Sequence, residues 1–350
     1  MPVNFGSYRA VDPVYTGFLA TLAPDPVLIG RSLTPSITVS NADYIGKVWL
    51  DTHTSFMGSP QSLVARPGAP LPTMSSKDPS TVSYECVPYG VASDGIPKLN
   101  AARSQLPEDL VQRELRALRN ALLIAEEIRY ATLYQTTGNW TTTADCNTLA
   151  GATKWSSPAS TPLVDLHGFI ETYMAAAHGA APTDLILPYA VARAIGATAD
   201  ARGFYVQNLS GGQTAATAAG RPLSVERVVE LIAGEFGLRV HVGRARKNTA
   251  NLGQTHAESY VWTDTVFLGT LMADASVTGA SINTVQTAAL CINESSILGA
   301  SGLAGLGSGF SAGVDEVSPS QGDKWVPYVQ HCADELRLAA DLGATIKDCL

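Results

Sequence analysis

Arg244, Arg246 and Lys247 fall within four positions of the stretch VGRARKNTANLGQT, residues 242–255, which then turns polar and uncharged. Guanidinium forks bind carboxylates and phosphates well, so this knot is a candidate for recognising an anion or a partner. The chain as a whole carries a formal charge of −8, from 23 Lys and Arg against 31 Asp and Glu. Proteins that grip nucleic acid usually carry a positive excess that displaces counterions from phosphates. The average field here opposes that role. Two readings of the knot remain: a contact with acidic groups on another copy of the chain, and a solvated basic turn.

The other residue types that do chemistry are scattered. The six histidines (His53, His167, His178, His241, His256 and His331) form no H-x-x-x-H pair, the spacing that sets two imidazoles on one helix face for zinc. The five cysteines (Cys86, Cys146, Cys291, Cys332 and Cys349) include no C-x-x-C pair. Their odd count and irregular spacing describe free thiols in a reducing compartment, not a disulfide framework. Gly302, Gly305, Gly307 and Gly309 do not spell a dinucleotide fingerprint, and neither a P-loop nor a G-x-S-x-G elbow occurs. Glu126 and Glu127 are neighbours on a predicted helix, where adjacent positions point apart, so they read as a solvated or salt-bridged edge. We expect no enzyme, no cofactor and no metal.

The elements that must position these residues follow from composition and period. At 350 residues the chain has room for roughly two or three compact units. Apolar residues make up 45% and charged residues 15%, enough for a sizeable core and too little charge to keep copies apart. Self-association explains such a surface. No basic region followed by an apolar run marks a signal peptide at the N-terminus. Nothing approaches the roughly 18 apolar residues of a membrane span.

Residues 1–45, with Pro2, Pro13, Pro24, Pro26 and Pro35, predict an extended arm with one short helix near VYTGFLATL, laid on another surface. Residues 51–98 hold seven more prolines and no helical period. Within them TVSYECVPY alternates Val82, Tyr84 and Cys86 against Ser83 and Glu85, as a strand does. Loops of this length without helices are uncommon in compact domains. Phe56, Met57, Leu63, Val64, Tyr84 and Tyr89 make this one too apolar for simple disorder. It reads as a long hairpin-like arm that needs a partner surface.

A helix is predicted over about 107–134, roughly 40 Å long. Pro107 lies in its first turn, and Val111, Leu115, Leu118, Leu122 and Ala125 form its apolar stripe. Arg113, Arg116, Asn120 and Glu127 fall on the wet face, and the stripe blurs beyond Ile128. Trp140 and Trp155 anchor the Thr- and Ser-rich stretch that follows. The pattern then turns α/β: helix from Pro162, strand DLILP, helix YAVARAIG, helix LSVERVVELIAGEFG with Ser224 as N-cap and Gly237 as terminator, and strand LRVHV. The tail from Asp323 reads as strand pairs separated by turns.

In this order the parts resemble the major capsid protein of tailed bacteriophages. The most specific stretch is residues 223–263, LSVERVVELIAGEFGLRVHVGRARKNTANLGQTHAESYVWT, supported by APTDLILPYAVARAIG and the closing GATIKDCL. The resemblance implies an α+β, HK97-like capsid fold. Its parts would be an N-arm over 1–45, an extended loop over 46–100 and a peripheral domain with its spine helix over 101–160. An axial domain over 161–280 and a return to the peripheral domain over 281–350 would complete it.

The resemblance further implies pentamers and hexamers tiling an icosahedral shell around double-stranded DNA, which is enclosed without sequence-specific binding. The protein would reside in the virion after assembly in the host cytoplasm, with no membrane partner. Its partners would be itself, a portal, a decoration protein and a separate scaffolding protein, the last because the arm is short. Contacts between copies are expected at Arg244, Arg246 and Lys247, and on the loop at Phe56, Met57, Arg66 and Tyr84. An encapsulin-type nanocompartment shell shares the fold and stays open, as does a soluble oligomeric α/β enzyme.

Overall fold

The computed structural model describes residues 12–22, 25–39, 45–50, 80–99, 107–140, 147–177, 181–208, 222–250, 254–271, 287–294, 310–317 and 323–350. Phe56, Met57 and Arg66 lie outside them. The N-terminal segment contains α1 (Pro13–Thr21), a one-turn α2 (Gly30–Leu33) and β1 (Ser36–Val39). Asp12 caps α1, accepting from the Val14 amide at 2.8 Å. The expected short helix is there; the strand that follows was not legible. Next come β2 (Ile45–Leu50), β3 (Ser80–Glu85), β4 (Val87–Ala92) and β5 (Ile96–Pro97). β2 and β3 pair antiparallel, from Ile45 opposite Glu85 to Leu50 opposite Ser80, as a separate two-stranded ribbon.

The spine helix α3 (Pro107–Gln135) runs 29 residues. Val111, Leu115, Leu118 and Leu122 are buried as their spacing requires. Leu115 is fully buried, a contribution of about 2 kcal/mol. Ala125 is exposed, because the buried stripe rotates onto Leu123, Glu126, Glu127, Tyr130, Ala131 and Tyr134. Glu127, expected on the wet face, is 2% exposed.

The α/β lobe follows in chain order: β6 (Asn147–Thr148), α4 (Pro162–Ala176), β7 (Asp184–Pro188), α5 (Tyr189–Ala197), α6 (Ala199–Asn208), α7 (Val225–Phe236) and β8 (Arg239–Gly243). Ser224 caps α7 by accepting from the Arg227 amide, and Gly237 ends it in the left-handed region at φ 68°. β9 (Arg246–Asn248) and β10 (Glu258–Tyr260) form a small antiparallel ribbon before β11 (Val266–Gly269). β12 (Ala289–Glu294), β13 (Phe310–Val317), β14 (Lys324–Arg337) and β15 (Gly343–Lys347) complete the chain.

These strands make two main sheets. The lobe sheet has the order β6-β15-β11-β7-β8, with β7 and β8 parallel across the helices that join them. The other sheet has six strands. β14 is its centre, pairing with β12, β13, β4 and β5, while β1 joins parallel to β12. The expected run of short pairs at the tail is thus one strand of 14 residues. β15, expected to return to the peripheral sheet, instead pairs with β11 inside the lobe.

The largest core joins the lobe to the C-terminal half of the spine through Tyr134, Trp140, Trp155, Trp262 and Phe267. A second packs α1 and the first half of the spine on β13 and β14, and a third covers the other face of that sheet. The four described cysteines are buried and form no disulfide among the described residues.

Gly243 ends β8 directly against the fully buried Trp262, whose ring would meet any Cβ built there. Gly243→Ala should cost about 1–3 kcal/mol by overpacking. The check is a lowered urea midpoint at unchanged slope.

Candidate assembly interface

Residues 29–34 lie along the second half of the spine helix, held by buried polar bonds. Glu127 Oε2 accepts from the Gly30 amide at 2.8 Å, and Oε1 accepts from the Ile29 amide at 3.1 Å and from the Trp262 indole Nε1 at 2.7 Å. The carboxylate so satisfies amides that open α2, groups with no partner within the helix. Both oxygens of Glu126 accept from Arg31 Nε at 2.8 Å. The Tyr134 and Thr34 hydroxyls bond at 2.8 Å. Only a glycine fits at position 30, because a Cβ would run into the Tyr130 ring.

Burial pushes both carboxyls above the ordinary glutamate range. Arg31 pulls Glu126 back, and the Trp262, Gly30 and Ile29 donors pull back Glu127. The edge expected to be solvated or salt-bridged is thus a buried joint, in which Glu126 is salt-bridged to Arg31 and Glu127 is held by neutral donors. Adjacent helical positions do point apart, and each carboxylate meets a different partner inside the protein.

The basic knot leaves β8 at the surface of the lobe. Arg244 reaches Glu226 Oε1 at 3.1 Å and lies 5.5 Å from the centre of the Tyr189 ring. Arg246 donates to Glu258 Oε2 at 3.1 Å and to the Tyr260 hydroxyl at 2.9 Å, with its guanidinium 4.7 Å from that ring. Tyr189 and Tyr260 are themselves in contact at 5.9 Å. The acidic partners expected on another copy are supplied here by the chain's own Glu226 and Glu258. Both guanidiniums stay about half exposed, at 45% and 54%. Lys247 faces Ser259 across the ribbon and has no ion-pair partner among the described residues. Asn248 Oδ1 closes the turn, accepting from the Ala250 and Ala257 amides.

Tyr84 corrects a second expectation. It is 7% exposed and packs with Cys86, Leu290, Ile292 and Cys332. Its ring is core at the root of the β2–β3 ribbon, where a Cβ at Gly46 would strike it. The Glu85 amide fixes that root by donating to Asp334 Oδ2 at 2.8 Å. Among the described residues no group of three or more His, Cys, Asp and Glu could hold a metal ion.

No family model and no curated protein matches the chain. Solved structures do. A phage-related protein from Bordetella bronchiseptica RB50 superposes at TM-score 0.66 and 17% identity, covering 97% of this chain and 98% of its own. The capsid of cyanophage P-SCSP1u gives 0.55 at 10% identity over 93% and 89%. The mature capsid of bacteriophage PhiM1 gives 0.50 at 11% over 91% and 86%. This chain has the HK97-like capsid fold.

The sheet around β14 packs on the first half of the spine helix, and the lobe packs on its second half. The Glu126–Glu127 joint ties the N-terminal segment to the helix and the lobe, through Arg31 and through Trp262. Removing Glu127 strands three donors in the interior, so Glu127→Ala should cost about 3–5 kcal/mol. Glu171→Ala, on the exposed face of α4, should leave the urea midpoint unchanged.

Proposed function

We propose that the chain is the major capsid protein of a tailed double-stranded DNA phage, assembling as pentamers and hexamers into an icosahedral shell around the genome. The observation that carries this reading is whole-chain likeness, over 97% of this chain and 98% of the other, to a phage-related protein. The phage capsids that follow it in likeness support it further.

The β2–β3 ribbon also fits. It is a two-stranded sheet standing apart from both others, and such a hairpin is marginally stable in water without a surface to cover it. A neighbouring subunit supplies that surface in a shell. The net charge of −8 suits a wall that encloses DNA without gripping it. In this reading the protein works in the virion, and its partners are other copies, a scaffold, a portal and a decoration protein. The exposed edges of Arg244 and Arg246, together with Lys247, face the next copy in the ring.

Replacing residues 51–79 with a short Gly-Ser turn should leave the thermal midpoint of the subunit unchanged and abolish assembly. In negative stain the full chain should form shells or rings of hexamers and the shortened chain only small species. A full chain that stays a lone small oligomer under every assembly condition contradicts the reading. The double substitution Arg244→Ala, Arg246→Ala should weaken capsomer formation and leave the subunit folded. Unchanged assembly would return the knot to a solvated turn.

A further inference from the structure

The sheet around β14 holds a buried histidine to which the proposed function gives no role. His331 of β14 is 3% exposed, and its Nε2 has no hydrogen-bond partner among the described residues. Its ring stacks on Tyr89 of β4 at 6.2 Å and 25°, and meets Phe310 of β13 at 5.0 Å and 37°. Each of those rings carries a guanidinium. Arg129 of the spine helix lies 3.8 Å from the centre of Tyr89, and Arg31 of the N-terminal segment lies 4.5 Å from that of Phe310. The nearby negative charges are engaged: Glu126 by Arg31 at 2.8 Å, and Glu335 by Arg129 at 2.8 Å.

We propose that the run Arg129, Tyr89, His331, Phe310, Arg31 is an acid-operated latch on the N-terminal segment. A proton taken up by His331 puts a third cation between two guanidiniums inside the stack. The stack then opens at Arg31, and residues 29–34 leave the spine helix. It opens on that side because Arg31 sits on a four-residue helix and is 32% exposed, whereas Arg129 rises from the 29-residue spine and is 20% exposed.

Burial, then Arg31 and Arg129, hold His331 well below the ordinary imidazole range. The unfolded chain therefore binds this proton first, near pH 6.5. The histidine's share of stability is complete above that pH and is lost as the pH falls below it. Burial holds Glu126 above the usual glutamate range; a carboxyl raised on folding takes its proton in the folded state first, so acid at Glu126 works against opening and the loss is the histidine's. Tyr89 stays neutral throughout, its hydroxyl raised by burial.

The test is hydrogen exchange on the full chain at pH 7.5 and 5.0, read as protection factors so that the intrinsic rate cancels. In the wild type residues 29–34 should lose protection about tenfold or more at pH 5.0, while α7 keeps its own. His331→Gln and His331→Phe, which cannot take the proton, should each stay protected at pH 5.0, and either one suffices if the other does not fold. Unchanged protection in the wild type overturns the latch. So does equal loss in α7, or the same loss in the variants. These outcomes concern the single chain and do not depend on whether it builds a shell.

Discussion

A carboxylate removed from water must be met by donors, and Glu127 is met from two separate parts of the chain. Its oxygens take two amides from the N-terminal segment and one indole from the lobe. Neither part can be withdrawn without stranding charge in the interior. The spine helix can therefore bury its second half only when the segment and the lobe are both in place. Glu126 with Arg31 repeats the device one residue earlier, and Tyr134 with Thr34 about two turns later. The α+β architecture follows as one cooperative object, although its pieces lie about a hundred residues apart in sequence.

The β2–β3 ribbon is the counterpoint. Its root is fixed by Tyr84 and by the amide of Glu85 on Asp334, yet its paired length belongs to neither main sheet. A ribbon anchored at its root and paired with neither main sheet among the described residues is suited to lie on something else. Coupled to a surface poor in charge, that asymmetry is the physical argument for copies of this chain covering one another.

Local features were legible in the sequence because they have local causes. The leucine stripe of the spine, the Ser224 and Gly237 ends of α7, the buried DLILP strand and the tryptophan anchors all follow from period, capping and volume. What escaped was non-local. The blurred stripe beyond Ile128 marked a helix buried on more than one side, with polar tips serving two partners, and no period reports that. The parallel pairing of β1 with β12, the unbroken β14 and the entry of β15 into the lobe sheet are pairings of distant segments. Of the contact candidates, Tyr84 proved to be core. Arg244 and Arg246 meet acids, but these are Glu226 and Glu258 of their own chain, whose placement only the folded lobe determines.

The central claim is that this subunit completes itself on its neighbours. A reconstruction of the purified assembly by cryo-electron microscopy tests it most directly. The account predicts rings of five and six subunits in a closed shell, with the β2–β3 ribbon of each subunit lying over the next. A small closed oligomer in which the ribbon folds back onto its own chain would contradict it.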